Sequence, residues 1–270
     1  IPSANMILMT LLLLAEGWAL AHRILQKTHG QTLEILLSLP LGALINVFAI
    51  AALSLLNLPL NPVSIICSNL LVTLLLVISV QPLYKVKTID SNSDESPIGV
   101  SKVFTIISSI VLLSSLVYAV SHTLLPTFHY DSTTNWNMRS KVSYERAEVV
   151  FDESDSLVSK SQYPFLYHGL QITVNQFSPN WSDKSANGIH LLLTLSLFGI
   201  VYQLLSRRGK SYALTVLALI VGIPLLTLHT GQSYADITLI GFALASLSSL
   251  LEYRRRNDTR FLLLSGLMLC

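Results

Sequence analysis

The sequence predicts an all-α fold: a polytopic membrane bundle of about seven spanning helices plus a truncated eighth, with a long external loop containing an interfacial helix. Three observations carry this. Only 12% of the 270 residues are charged while 51% are hydrophobic, and the mean hydropathy is +0.59; soluble domains carry about a quarter charged residues. Apolar runs close to the ~20 residues that span a bilayer recur along the whole chain. Basic residues gather in every second connection between those runs. A water-soluble globular enzyme, a disordered chain and a secreted disulfide scaffold are thereby excluded. The net charge of +2 makes no case for nucleic acid. Cys67 and Cys270 both sit in apolar runs and carry no redox information.

In chain order the spans are expected near Ile1–Ala21, Leu33–Leu56, Val63–Val80, Val103–Leu124, Gly188–Leu205, Tyr212–Leu228 and Tyr234–Leu251, with a stub after Arg260. They must be helices, because the bilayer core offers no water to unpaired backbone groups. The alternation of a membrane barrel is missing. Pro40 and Pro224 are candidate breaks in the second and sixth helices. The chain opens on Ile1, and its last run, Phe261–Cys270, is about half a span. We therefore expect a fragment, residues 1–270 forming one transmembrane domain cut within a helix. No basic region precedes the first run, which argues against a signal peptide.

Orientation follows from Lys and Arg. Twelve of the seventeen basic residues lie in alternate connections, which the charge rule assigns to the cytoplasm. The connections Asn57–Pro62 and His229–Ser233 hold none. The remaining five fall in residues 126–187, a long external loop by this scheme and a poor voter in the charge rule. Loops beyond about a dozen residues are usually functional or disordered. This one carries Trp136, Trp181, Tyr163, Phe165 and Tyr167, so an ordered external layer is expected, with an interfacial helix over Asn135–Val150 burying Trp136, Val142 and Val149. Asp152–Ser161 reads as a polar turn, Tyr163-Pro164 as an extended element and Asp90–Pro97 as a solvated linker.

Two acids reach the outer face from distant parts of the sequence: Asp131, just after the fourth helix, and Asp236, at the start of the seventh. Charge inside a membrane helix marks a cavity or a partner. The competing reading makes Asp236 a helix-start acid and Asp131 a solvated loop residue. Arg139 and Lys141 are placed to neutralise a phosphate or to meet lipid headgroups. Glu145, Glu148, Asp152, Glu153 and Asp155 form a solvated acidic face. His129, His168 and His229 are external, with no metal-ligand spacing. Glu16, within the first helix, either faces a polar cavity or lies near enough to the cytoplasmic end to reach water, and the second is the expectation.

The order of these elements resembles the GT-C superfamily of integral membrane glycosyltransferases, and more closely its bacterial lipopolysaccharide-sugar and mannosyl transferase branch of the PMT/ArnT type. The resemblance rests on Asp131, Asn135-Trp136, Arg139 and Lys141, then SQYPFLYHGLQ at 161–171, then Tyr234-Ala235-Asp236 and the following EYRRRNDTRFLLLSGLML. It departs in having four helices before the external Asp, and Lys160-Ser161-Gln162 where many relatives carry His-Pro. What it implies is a bacterial inner-membrane enzyme that moves a sugar from a polyprenyl-phosphate donor to a glycan, lipid or protein acceptor, with inversion. Asp131 and Asp236 would be catalytic, and Trp136, Arg139, Lys141, Tyr163, His168 and Tyr234 substrate-binding. A divalent cation is a possible cofactor. The rival is a transporter or lipid-carrier flippase, which needs polar or broken helices near the midplane.

Overall fold

The computed structural model describes residues 4–25, 31–80, 98–150, 165–176 and 178–269. Among these residues every regular element is helical: α1 (Ala4–Leu25), α2 (Gln31–Leu55), α3 (Pro62–Ser79), α4 (Lys102–Thr123), α5 (Met138–Arg146), α6 (Phe165–Asn175), α7 (Asp183–Leu205), α8 (Lys210–Val221), α9 (Pro224–Thr230), α10 (Ala235–Arg256) and α11 (Thr259–Leu267). A π-helical stretch, Ser132–Asn137, leads into α5. Six helices, α1 to α4, α7 and α10, are long and apolar enough to cross a membrane.

Successive long helices run antiparallel, which gives the bundle two distinct ends. At one, the Leu60 amide donates to the Ala147 carbonyl, tying the α2–α3 connection to the segment after α5. This is the loop end. At the other, the Ile98 amide donates to the Arg208 carbonyl, and the Arg260 guanidinium donates to the Leu25 carbonyl at 3.1 Å. Arg23, Lys102, Arg207, Arg208, Lys210, Arg254 to Arg256 and Arg260 all lie in the terminal turns of helices or between them at this arginine end. The alternation read from the basic residues is therefore present in the packing.

α2 is the central post. Its residues Leu37 to Asn46 are buried without interruption, against α1, α3, α6 and α7. A helix apolar all round belongs inside a bundle. α1 lies directly on it: a Cβ at Gly17 would stand 1.7 Å from the Ser38 carbonyl oxygen, and one at Gly42 would stand 2.0 Å from that of Leu13. Small residues at such positions let two backbones touch. α3 and α4 are peripheral. Leu70, Leu74, Leu75 and Ile78 on α3, and Phe104, Ile106, Ile110 and Leu113 on α4, are exposed. Soluble proteins rarely expose apolar patches beyond a few hundred Å²; against hydrocarbon the same surface costs nothing.

The two prolines behave differently. Pro40 sits inside a continuous α2. It deprives the Leu36 carbonyl of its helical donor, and the Ser196 hydroxyl of α7 donates to that carbonyl instead. Pro224 does break its helix. Ile223 is extended (ψ 116°), as a residue before proline prefers, and the chain bends by 87° between α8 and α9. The expected span Tyr212–Leu228 is thus two short helices, with the Val221 carbonyl accepting from the Thr227 hydroxyl at the break. Glu16 corrects a second expectation. It is buried at 3% exposure, nine residues before the end of α1 and about 13 Å from it. Both carboxylate oxygens lack a hydrogen-bond partner among the described residues. A helical side chain cannot cover that distance to water.

Gly17→Ala should lower the melting temperature of the detergent-purified chain, at a cost of about 1–3 kcal/mol or more for overpacking. Gly99→Ala, whose added methyl would meet nothing within 4 Å, should leave the melt unchanged.

Candidate functional site

The described parts of the segment 126–187 build the loop end, and they turn a buried face inward. From Tyr130 the chain is helical, and the π-helical turn carries Ser132, Asn135, Trp136 and Asn137 to its inner side. Arg139, Ser140 and Ser143 continue the buried face along α5. The expected interfacial helix Asn135–Val150 therefore starts earlier and ends sooner, closing at Ala147 in the left-handed conformation (φ 54°). Trp136 is buried as expected, whereas Val142 and Val149 are only half-buried. The inner face is polar, so apolar periodicity could not locate it.

This polar face is met by α6, in which Tyr167 to Asn175 are all buried. Gln171 is the hub. Its Nε2 donates to Asn137 Oδ1 (2.6 Å) and Ser233 Oγ (3.1 Å), and its Oε1 accepts from the Ser140 hydroxyl. Ser233 donates in turn to Asn187 Oδ1 at 2.6 Å. Asn137 Nδ2 donates to the Thr127 hydroxyl at 2.7 Å. Asp183, in the first turn of α7, accepts from the Thr127 amide (3.1 Å) and Trp181 Nε1 (2.8 Å). The network joins α5, α6, α7, the segment after α4 and the α9–α10 turn. Deeper in, Asn46 Oδ1 accepts from both Thr173 (2.8 Å) and Asn69 (3.2 Å), tying α6 to α2 and α3.

Gln232 fixes the rim. Its Nε2 donates to the His122 carbonyl (3.0 Å) and its Oε1 accepts from the Phe128 amide (3.3 Å), so the exit of α4 is clipped to the entry of α10. Gly231 permits the approach, because a Cβ there would lie 2.8 Å from the Ala119 carbonyl oxygen. The clip brings His129 edge-on to Tyr234, with ring centroids 5.8 Å apart. Tyr234 stacks on His229 at 3.8 Å with the rings 4° from parallel. His229 Nδ1 lies 3.7 Å from Asp236 Oδ2. Asp131 is exposed and held by Asn135 Nδ2 at 3.2 Å. Burial raises the Tyr234 phenol above its ordinary pKa, and the charges of Asp131 and Asp236 add to this.

An apolar cavity of about 380 Å³ opens beside this rim. Asp236 supplies a carboxylate to its wall, which also holds Trp136, Tyr167, Leu239, Phe242 and Met268. The Tyr167 hydroxyl approaches Ser233 and Gln171 without a well-formed hydrogen bond.

The other sequence candidates fall elsewhere. Arg139 is 2% exposed, donates through Nε to the Val150 carbonyl (3.0 Å) and lies 5.7 Å over the Phe165 ring. Eight residues beyond Asp131, it is displaced about 12 Å along the helix axis. Its guanidinium serves the inside of the layer, so the expected contact with a substrate phosphate is not available to it. Lys141 is exposed and lies 3.9 Å from Glu145. His168 is fully buried, stacked on Trp136 at 5.6 Å, with Nδ1 2.9 Å from the Ser140 hydroxyl. Tyr163, Pro164 and the turn Asp152–Ser161 lie outside the described residues, as does Asp90–Pro97. Asp236 occupies the first turn of α10, and Tyr234 is its N-cap without a side-chain bond, so the acid favours the helix dipole but does not cap. Gln232, Asp183 and Asn187 are what sequence reading passed over, and His129 and His229 figure there only as external histidines. Their common signal is polar residues clustered at the loop-end termini of predicted spans. No three His, Cys, Asp or Glu side chains converge in a metal-binding arrangement among the described residues.

Comparison of the chain with protein families, characterised proteins and solved structures finds no match.

Two outcomes test the layer. Gln171→Leu removes the donor to Asn137 Oδ1, a loss of about 1–3 kcal/mol, while Ser140 and Ser233 keep their bonds to the Trp136 carbonyl and to Asn187; thermal melts should show that loss. Burial, and then the charge of Arg139, hold the His168 imidazole down to about 3. The unfolded chain takes up this proton as the pH falls through about 6.5, the folded chain not until about 3, so stability is complete above the first value and declines below it. The slope from this group is at most about 1.4 kcal/mol per pH unit. His168→Asn should flatten the fall in melting temperature between pH 6.5 and 4.

Proposed function

We propose that the chain is an integral membrane glycosyltransferase, with the loop end on the outer face of a bacterial inner membrane and the arginine end in the cytoplasm. The observation that carries this reading is the apolar cavity with Asp236 in its wall, beside a rim where Asp236 lies 3.7 Å from His229 and Tyr234 stacks on His229. A polyprenyl-phosphate sugar has the matching shape: an apolar tail, a phosphate at the headgroup level and a sugar in water. The tail packs along Leu239, Phe242 and Met268, and the sugar faces the exposed acids. The resemblance to the GT-C superfamily points the same way.

In this reading Asp131 takes the proton from the acceptor hydroxyl as its oxygen attacks the anomeric carbon. The bond from that carbon to the phosphate oxygen breaks, the electron pair leaves with the polyprenyl phosphate, and the anomeric centre inverts. The family order implies Arg139 and Lys141 for the leaving phosphate. His229, held against Asp236 by the Tyr234 stack, and His129 are nearer candidates for donating to that phosphate. Trp136 and Tyr167 shape the cavity wall.

A transporter or lipid-carrier flippase is the second reading, favoured by two observations: the 87° break between α8 and α9 and the unpartnered Glu16 inside α1.

Membranes carrying the full-length protein, given radiolabelled polyprenyl-phosphate sugars, should transfer or hydrolyse label. Asp131→Asn should reduce turnover by about 10²–10⁴-fold, and Asp236→Asn should also be impaired, both at unchanged expression. Arg139→Gln should instead lower folded yield. Equal turnover from wild type and both Asn variants would remove the acids from the mechanism. No reaction with any donor, together with an effect of Glu16→Gln on uptake into vesicles, would favour transport.

A further inference from the structure

Glu16, Glu34, Glu252 and Asp258 are the buried acids among the described residues. Three of them face a base. Glu34 Oε2 lies 3.0 Å from His22 Nδ1, Arg207 and Arg256 clamp Glu252, and Asp258 accepts from Arg260 at 2.6 Å. Glu16 is 3% exposed, and neither of its oxygens has a partner among the described residues. Its surroundings on α1 are apolar. Met9, Leu13, Glu16 and Leu20 recur at helical spacing on one buried face, so the acid stands where the pattern calls for an aliphatic side chain. The adjacent Gly17 touches the turn of α2 from Ser38 to Gly42. That turn has no side-chain donor to spare, because the Ser38 hydroxyl already donates to the Ile35 carbonyl. The titratable groups on the elements packed against α1 are engaged or lie elsewhere. On α2 there is only Glu34, and on α3 only Cys67, which is exposed. α6 carries Tyr167 in the cavity wall and His168 beside the Ser140 hydroxyl. At the end of α1, Arg260 is bound to Asp258 and the Leu25 carbonyl. Within α1, His22 faces Glu34, and Arg23 is displaced about 10 Å along the axis.

We propose that Glu16 is a proton-binding site inside the membrane, a carboxylic acid whose bound proton stands in for a basic partner. The proposal rests on the membrane-embedded reading above and holds whether the chain transfers sugars or moves a solute. An ionised carboxylate in an apolar medium costs far more than a neutral polar group. Acids inside spanning helices therefore mark proton or ion paths when no base accompanies them. A proton fits this position better than a metal ion. Hard cations need several oxygen ligands, and Met9, Leu13 and Leu20 offer none. Exchange of the proton requires α1 and α2 to part, because Gly17 brings the two backbones into contact beside it. Pro40 lies in the same turn of α2, where the helix lacks one backbone bond and Ser196 of α7 supplies its substitute.

The test treats the full chain in phospholipid vesicles with dicyclohexylcarbodiimide, an apolar reagent that enters the bilayer and reacts with protonated carboxyls. The acid's proton passes to one reagent nitrogen as a carboxyl oxygen bonds to the central carbon. The acyl group then shifts to the other nitrogen, leaving a stable N-acylurea with nothing expelled. Peptide mass spectrometry of wild type should find one reagent mass added at Glu16. A water-soluble carbodiimide with an amine should instead label the exposed Glu145 and leave Glu16 unmodified. Infrared spectra at neutral pH supply a readout that needs no reagent. Wild type should show the carbonyl stretch of a protonated carboxyl that Glu16→Gln lacks, and this neutral variant of the same shape should melt as wild type does. Absence of the adduct or of the band would overturn the proposal. Protection of Glu16 by sodium ions but not by choline would make it a metal-cation site, and labelling by the water-soluble reagent would place the acid in water; either result overturns it too. Release of the protein from native membranes by alkaline carbonate is a separate result, and would instead defeat the membrane reading.

Discussion

The hydrogen bonds of Gln171 hold the loop end in place. α6 is seated by Leu170, Ile172 and Val174 in the core, but α5 depends on these bonds, since the side chains it turns inward are Ser and Arg rather than leucines. A buried amide or hydroxyl costs several kcal/mol in an apolar medium when unpaired and is roughly neutral when paired. The layer is stable only with Asn137, Ser140, Ser233 and Asn187 all in register with Gln171. That register in turn fixes the α9–α10 turn through Ser233, and with it His229, Tyr234 and Asp236. The rim of the candidate site is thus positioned by a network that contains none of its reactive groups.

Much of the bundle was legible in the sequence, and the reason is physical. Spanning helices must be apolar for their whole length, and basic residues must alternate between sides, so composition alone marks α1 to α4, α7 and α10. The loop-end layer obeys a different rule. α6 is short and buried on all sides, and α5 buries a polar stripe, so neither leaves an apolar period to be read. Pro40 and Pro224 look alike in sequence. What separates them is tertiary: Pro40 lies in the buried centre of the bundle, where Ser196 of α7 donates to the carbonyl it leaves unpaired, while Pro224 follows an extended Ile223 near the surface. The expense of charge in a membrane argues for Glu16 near water; its depth within the packed α1 is a tertiary fact that no local pattern carries.

The π-helical turn at Ser132–Asn137 shows how one local irregularity divides the roles of neighbouring residues. Such turns insert a residue into the helical repeat and often occur at functional sites. Here Asp131 faces outward, while Ser132, Asn135 and Trp136, one to five residues later, face the network. Asn135 then reaches back to hold Asp131 at 3.2 Å. The acid is exposed yet anchored to the buried layer, which is the combination a surface-acting carboxylate needs.

The same logic separates three acids at the loop end. Asp183 is nearest the network's centre, and its two oxygens are occupied by the Thr127 amide and the Trp181 indole, with Asn137 at 3.5 Å. A carboxylate so engaged organises the fold and has little capacity left for a substrate. Asp131 accepts from Asn135 through one oxygen and is otherwise turned to solvent. Asp236 is 63% exposed and faces His229 across 3.7 Å, too long for a direct hydrogen bond but close enough for one to form when a ligand or proton arrives. The two rim acids are thus less engaged than Asp183. Of the two, Asp236 also borders a cavity apolar enough to take a hydrocarbon tail. The apolar wall of Leu239, Phe242 and Met268 and the exposed carboxylates of Asp131 and Asp236 thus lie side by side, an arrangement set by the fold itself.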